Sequence, residues 1–286
     1  MTVAYSSGDY LHNFLRTLGD ASQHSPQVVI ADNGSTDGAP ERAAAEHENV
    51  TLVHSGGNIG YGAAVNRGIA ELDPDLEFVV IANPDVEWSA GALDELLAAA
   101  RRWPRAASLG PLVTELDGSV YPSARAVPNL VSGTGHAVLG AVWPSNPWTK
   151  AYRDDEQGLT ERPVGWLSGS CLLVRRSAFD GVDGFDSRYF MFMEDVDLGD
   201  RFGRAGWLNV YVPSATVLHA KSHSVSKHPE KMIPAHHQSA YRFNADRNPG
   251  ALRAPLRLAL RAGLAVRSKL AVAAALRERR HTGSDV

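Results

Sequence analysis

Three times within the first hundred residues, a short β-branched run gives way to a polar or glycine-containing turn and then to a stretch with helical spacing. Residues 27–31 end in Asp32-Asn33-Gly34-Ser35-Thr36-Asp37-Gly38, and the alanine-rich residues 40–47 follow, with proline at the first helical position. Residues 49–54 lead through Gly56-Gly57-Asn58-Ile59-Gly60-Tyr61-Gly62 into a helix that passes Asn66 and ends near Leu72. Residues 77–82 stop at Asn83-Pro84-Asp85, and Ser89 is the expected N-cap of a helix over residues 90–103 that Pro104 ends. A short extended segment, residues 1–6, and a helix over residues 10–18 precede these units. Strand, turn and helix in this order predict βαβ units and a mostly parallel sheet. Ligands of such sheets bind beyond the carboxyl ends of the strands, so Asp32, Asn58 to Gly62 and Asp85 are expected to converge on one crevice.

After Gly110 the pattern changes. Residues 112–115 and 119–121 flank Asp117-Gly118, a hairpin signal. Residues 122–163 are rich in proline, tryptophan and glycine with little periodicity, which predicts a functional loop or lid. Trp143 and Trp148 within it are lid residues or the interface of a homo-oligomer. Gly165-Trp166-Leu167-Ser168-Gly169 feeds a strand over residues 170–175, with a short helix near Ser177. Further strands are expected over residues 207–213 and at Val217-Leu218-His219. From Ala240 onward Arg253, Arg257 and Arg261 recur one position off Leu252, Leu256, Leu260 and Leu264. That spacing predicts an amphipathic helix with a basic stripe beside an apolar one. Such a helix lies in a membrane interface, drawn to anionic headgroups, or docks on its parent domain with solvated arginines.

Composition narrows the classes. The chain of 286 residues is 44% hydrophobic and 21% charged, ordinary for a globular α/β protein, and its net charge of −4 gives no global field for nucleic acid. A single cysteine, Cys171 in an apolar run, excludes a disulfide framework and a cysteine-built zinc site. No signal peptide and no apolar stretch near the ~20 residues of a membrane span is present, so a cytoplasmic location is expected.

The densest chemistry lies in residues 189–201, Tyr-Phe-Met-Phe-Met-Glu-Asp-Val-Asp-Leu-Gly-Asp-Arg. An apolar approach to Glu194, Asp195 and Asp197 suits a partly desolvated acid of raised proton affinity, or an acidic first helical turn favoured by the helix dipole. Residues 56–62 lack the third small residue of a dinucleotide fingerprint and the Lys-Ser/Thr of a P-loop, so the run is read as a tight glycine turn. Asp85 after a buried strand suits a divalent cation bridged to a diphosphate, or a capping turn. His219 at a strand end is a metal ligand or a structural histidine.

Taken together, these stretches resemble glycosyltransferase family 2, inverting enzymes of the GT-A fold, from Val3 to about Ser224. Residues 31–37 are similar to the family's second-strand motif, which implies that Asp32 contacts the nucleotide base with Tyr5 nearby. Asn58, Gly60 and Asn66 are similar to the segment beside the nucleotide. Asn83-Pro84-Asp85 stands in the place of the Asp-x-Asp motif. Asp85 then carries the metal contact and Asn83 lends only a neutral oxygen, a pattern of the rhamnosyl- and galactofuranosyl-transferring branch. Gly184-Phe185-Asp186 through Glu194-Asp195-Val196-Asp197-Leu198 and Arg201 is similar to the signature in which the residue matching Asp195 is the catalytic base. Val217-Leu218-His219 resembles the strand-end histidine that completes the metal site.

The resemblance implies a Rossmann-like, mostly parallel sheet flanked by helices over residues 1–228, followed by a basic amphipathic helical extension, residues 229–286. Within the domain, residues 1–110 bind the nucleotide-sugar and residues 111–228 bind the acceptor and carry the catalysis. It implies Asp195 as base with Glu194 and Asp197 in support, and Mg2+ or Mn2+ on Asp85 and His219. Trp166, Ser168 and Gly169 would form an acceptor platform. The expected donor is a dTDP-sugar, dTDP-L-rhamnose. The expected acceptor is polyprenyl-diphosphate-linked N-acetylglucosamine in cell-wall linker synthesis, met by a peripheral enzyme on the inner membrane face. The alternatives are a galactofuranosyl- or other hexosyltransferase of the family, a nucleotidyltransferase, and a non-catalytic nucleotide-sugar-binding protein. Residues 56–62 hold no basic side chain for a triphosphate, and a binding module would not require both Asp85 and Asp195. Only residues 1–5 represent the family's opening strand, so that strand is expected to be short, or the native start to lie upstream.

Overall fold

The structure, a computed structural model, describes residues 1–128, 158–220 and 229–282. Most of the expected lid, with Trp143 and Trp148, lies outside the described residues, as do Lys221, His223 and His228. The chain divides into two compact units, Met1–Ser187 with Asp195–Lys221, and Arg188–Glu194 with Ser222–Val286.

The first unit runs β1 (Thr2–Ala4), α1 (Asp9–Leu18), β2 (Val28–Asp32), α2 (Ala39–Glu46), β3 (Val50–His54), α3 (Tyr61–Ile69), β4 (Phe78–Ala82), β5 (Val86–Trp88) and α4 (Ala92–Arg102). It continues with β6 (Ala106–Thr114), β7 (Val120–Tyr121), β8 (Ala124–Arg125), β9 (Arg162–Val164), β10 (Trp166–Leu167), β11 (Cys171–Arg175), α5 (Arg176–Gly181), α6 (Glu194–Arg204) and β12 (Leu208–His219). The main sheet is ordered β3-β2-β1-β4-β11-β6-β12-β5. Its first four strands are parallel, β11 is antiparallel to both β4 and β6, and β6 is parallel to β12. Chain order reverses at β1, which opens the crevice beyond the ends of β1, β2 and β4.

Both faces of this sheet are covered, which explains why β2 is buried at all five positions and reads as a continuous apolar run. Leu11, Phe14, Leu15 and Leu18 recur at three- and four-residue spacing and pack α1 onto one face, in a cluster with Leu96 and Leu173. Val65, Ile69, Phe179 and Phe202 cover the other face from α3, α5 and α6, with Phe185 from the turn after α5. The first strand is short, and the Met1 amine extends its contact with β4 by donating to the Val80 carbonyl at 2.9 Å.

Several local expectations change. Gly91, in the left-handed region at φ 71°, and not Ser89, precedes α4, and no side chain caps that helix. Strand β6 begins at Ala106 instead of residue 112. The two strands expected after Trp207 are one, β12, with an irregularity between Val212 and Thr216. Strands β5, β8 and β9 have two or three residues each, too few for a period to register.

The second unit holds α7 (Pro229–Asp246) and α8 (Ala254–Thr282), joined by a 3-10 turn. Residues 188–194 belong with α7: Ser239 donates to the Met191 carbonyl at 2.9 Å, the Phe192 ring meets His236 at 5.5 Å, and Arg188 pairs with Asp246 at 2.8 Å. The simple two-stripe helix expected here is not what forms. A four-residue repeat drifts by about 40° per step on a 3.6-residue helix. Leu252 (98%) and Leu256 (40%) are accordingly exposed, while Leu260 and Leu264 are half-buried. Arg253 and Arg257 are engaged by Asn248 and by the carbonyls of Asn248 and Gly250. Leu258, Val266, Leu270 and Leu276 remain exposed among Arg261, Arg267, Lys269 and Arg277. Among the described residues no helix is long and apolar enough to cross a membrane.

Candidate active site

At the end of β2, Asp32 accepts the Ser35 N–H at 2.8 Å and meets His54 Nδ1 at 3.1 Å. Burial raises its proton affinity, but the Ser35 donors and the His54 ring outweigh that and hold the carboxyl below its ordinary value. Next to it, Asn33 and Asn58 interlock the two glycine turns. Asn33 donates to Asn58 Oδ1 at 3.1 Å, and the N–H groups of Ile59 and Gly60 donate to Asn33 (2.9 Å) and Asn58 (3.2 Å). Gly60 stands at φ 92°, a conformation few side chains tolerate. Tyr5 is 61% exposed beside this crevice. Asn66, expected at the nucleotide, has both amide atoms engaged elsewhere. It donates to the Phe185 carbonyl at 2.7 Å and accepts the Phe185 N–H at 2.9 Å, tethering α3 to the Gly184-Phe185 turn.

The turn after β4 carries Asn83 and Asp85, and the end of β12 carries His219 beside it, since Val86 pairs with His219. Asp85 Oδ1 lies 3.1 Å from His219 Nε2, and Asn83 Nδ2 lies 3.4 Å from the same nitrogen. A carboxylate oxygen needs a proton on Nε2, whereas an amide N–H needs its lone pair. One nitrogen cannot serve both, and a cation held by the carboxylate, the imidazole and the amide oxygen would resolve the conflict. The residues therefore fit a hard divalent ion. Asp32, Glu41 and His54 also bring ligand atoms within 4.8 Å of one another. Glu41 and His54 are exposed there, whereas Asp85 is buried.

Helix α6 opens with Glu194 and Asp195, both carried on a tight approach in which Phe192 and Met193 hold φ near 67° and 66°. Two consecutive non-glycine residues in the left-handed region store roughly 1–3 kcal/mol each, a cost that clusters at functional sites. Asp195 accepts the Gly169 N–H at 3.0 Å and its neighbour Val196 N–H at 2.8 Å. Burial pushes its proton affinity above the ordinary carboxylate range, opposed by these N–H donors and by the charge of Arg125. The Gly169 carbonyl receives the Tyr61 hydroxyl at 2.8 Å, and the Ser170 carbonyl receives the Asn83 N–H at 2.9 Å. Residues 169–170 thus connect the half-buried Asp195 to the Asn83–Asp85 turn. Ser168 supports the same bend, its hydroxyl donating to Ser170 at 3.1 Å and its N–H to the Ser123 carbonyl at 2.7 Å. Asp197 pairs with Arg201 at 2.6 Å, and Arg201 donates to the Val182 carbonyl, so this carboxylate anchors α6. Glu194 is buried at the helix start.

Trp166 does not offer the open platform expected of it. Its indole is 8% exposed, donates to the Ala126 carbonyl at 3.0 Å, and lies under the Arg125 guanidinium. Helix α6 approaches so closely that a Cβ on Gly199 would stand 2.6 Å from Trp166 Cβ. Sequence reasoning missed Asn33, Tyr61 and Arg125. Asn33 adjoins Asp32 within an already suspect turn. Arg125 sits in a two-residue strand inside an unpatterned loop, with no signal to mark it.

A half-buried acid linked through two residues to a carboxylate–imidazole pair can take a proton from a nucleophile while a cation-stabilised anion departs. The chain is 57% identical, over 98% of its length and 94% of the relative's, to N-acetylglucosaminyl-diphospho-decaprenol L-rhamnosyltransferase of Mycobacterium tuberculosis. It is 27% identical to rhamnosyltransferase WbbL of Escherichia coli, over 85% of this chain and 90% of that one. The solved structure of mannosyltransferase PcManGT from Pyrobaculum calidifontis, in complex with GDP-Man and Mn2+, superposes with a TM-score of 0.54 at 19% identity, over 98% of this chain and 74% of that one. The fold is of the GT-A type. With the profile described as "Glycosyl transferase family 2" matching residues 1–182, the chain belongs to that family.

Proposed function

We propose that the protein is an inverting rhamnosyltransferase that moves L-rhamnose from dTDP-L-rhamnose onto N-acetylglucosamine linked to a polyprenyl diphosphate, a step of cell-wall linker synthesis. The observation that carries the reaction type is the half-buried Asp195 held by Gly169, one residue from Ser170, whose carbonyl receives the Asn83 N–H. The substrates follow the 57% identical relative, whose name states the rhamnosyl group and the decaprenyl-diphosphate acceptor. Asp195 takes the proton from the attacking acceptor hydroxyl, and its raised proton affinity makes it the stronger base. Asp32 receives the N3–H edge of the thymine, with Tyr5 beside the base. The interlocked Asn33 and Asn58 hold the turn in which this occurs. Asp85, His219 and Asn83 would hold Mg2+ or Mn2+, which when bound neutralises charge on the departing nucleoside diphosphate. Exposed Leu258, Val266 and Leu270 beside Arg261, Arg267 and Lys269 on α8 would rest on an anionic membrane surface, where the lipid-linked acceptor resides.

The test is transfer of labelled sugar from dTDP-L-rhamnose to N-acetylglucosaminyl-diphospho-polyprenol, with UDP-galactofuranose and other nucleotide-sugars in parallel. Rhamnose in the lipid product supports the reading. Transfer only from another donor moves the protein to a different hexosyl specificity.

A further inference from the structure

We propose that Arg125 receives the anionic diphosphate of the acceptor, so that the enzyme selects a sugar carried on a diphosphate over the same sugar on a neutral aglycone. The assignment of sides rests on the glycosyl-transfer reading above. Arg125 ends β8 and pairs in register with Trp166 of β10. Its Nε donates to the Pro122 carbonyl at 2.7 Å. Its guanidinium carbon lies 5.8 Å from the Tyr121 ring centroid and 5.7 Å from that of Trp166. Two rings and one hydrogen bond therefore hold the guanidinium in place. Among the described residues no hydrogen bond or ion pair engages its terminal nitrogens. A held guanidinium with a disengaged fork is built for phosphate oxygens, and little ordering remains to oppose binding.

Its position decides which phosphate. Along residues 166–170, Trp166 stands opposite Arg125, the Gly169 N–H is on Asp195, and the Ser170 carbonyl is on the Asn83 N–H. Along this segment the Asp195 contact falls between the Trp166–Arg125 pairing and the bond from Asn83 to Ser170. In an inverting displacement the leaving diphosphate and the attacking hydroxyl lie on opposite sides of the reacting carbon. A cation beside the base that takes the acceptor's proton serves the acceptor, whose diphosphate is one sugar ring from its attacking hydroxyl. Arg125 is near enough for its charge to act on Asp195.

The experiment uses the full chain and R125Q and R125K. The ratio of kcat/KM for N-acetylglucosaminyl-diphospho-farnesol over a neutral farnesyl N-acetylglucosaminide is measured for each. Wild type should favour the diphosphate by about 10- to 100-fold, the worth of charged hydrogen bonds. R125Q should lose rate on both acceptors and lose the preference, and R125K should keep part of it. In parallel, farnesyl diphosphate is titrated into protein saturated with dTDP and Mg2+, and R125Q should bind it about 10-fold or more weakly. An R125Q enzyme that keeps the wild-type preference, or binds farnesyl diphosphate as tightly, overturns the proposal. So does an R125K enzyme as indifferent to the diphosphate as R125Q while equally folded. Should wild type move no rhamnose yet bind farnesyl diphosphate through Arg125, the donor assignment fails and this inference stands.

Discussion

The two sides of the crevice are built differently. On the proposed donor side Asp32 ends β2, Asn33, Asn58 and Gly60 occupy the turns after β2 and β3, and the carboxylate and amide oxygens of Asp32, Asn33 and Asn58 close onto neighbouring backbone N–H groups. On the proposed acceptor side Arg125, Trp166, Gly169 and Asp195 come from elements far apart in sequence and meet only because α6 packs against β10. A turn satisfied by its own residues is rigid wherever the strand ends. An assembly of distant segments is only as exact as the packing behind it. Perturbing the packing behind α6 should therefore disturb acceptor chemistry first and leave nucleotide binding nearly intact.

The largest effect is expected from D195N, which keeps the shape and removes the base. Turnover should fall by roughly 10²–10⁴-fold with dTDP affinity unchanged by calorimetry, and near-normal turnover would remove Asp195 from the mechanism. Next, chelation by EDTA, or D85N, should weaken dTDP binding together with rate by several kcal/mol in the transition state. If dTDP bound wild type equally with and without Mg2+, the cation site at Asp85 and His219 would be misplaced.

Smaller effects separate the two sides. Gly199→Ala puts a Cβ 2.6 Å from Trp166 Cβ, and Gly62→Ala puts one 2.8 Å from Phe185 Cβ. Each should destabilise by about 1–3 kcal/mol as overpacking, read as a lowered Tm. G199A should raise KM for the acceptor, and G62A should raise KM for the donor; identical kinetic signatures would dissolve the distinction between the sides. The smallest effect is in pH. The rate requires ionised Asp195, so kcat/KM should fall as pH drops through a limb above the ordinary carboxylate range. Removing the Arg125 charge favours the protonated acid, so R125Q should move that limb to higher pH. Movement downward would contradict the charge coupling.

Much of the frame was legible before any coordinates. The β-branched run at Val28–Asp32 and the spacing of Leu11, Phe14, Leu15 and Leu18 report burial directly, because a period of two or 3.6 is set by backbone geometry. The motif around Asp195 marked the acid, and the strand-end positions marked Asp32 and Asp85. Asn66 was misread because its amide is indistinguishable in sequence from one that faces a ligand. Only its partner, the Phe185 backbone, assigns it a tether. Trp166 was misread because an aromatic beside glycines suggests an open surface, and only the approach of Gly199 shows that the indole is packed.

What the chain determines alone is local: which runs become strands, where turns demand glycine, and which acids stand at strand and helix ends. Those properties follow from φ/ψ sterics and side-chain period, which neighbours in sequence decide. Tertiary structure decided the pairing of His219 with Asp85, the link from Asp195 through Gly169 and Ser170 to Asn83, and the seat of Arg125 between Tyr121 and Trp166. Apart from the Tyr121 ring, four positions from Arg125, these contacts join residues tens to more than a hundred positions apart, and no local rule carries information over that span.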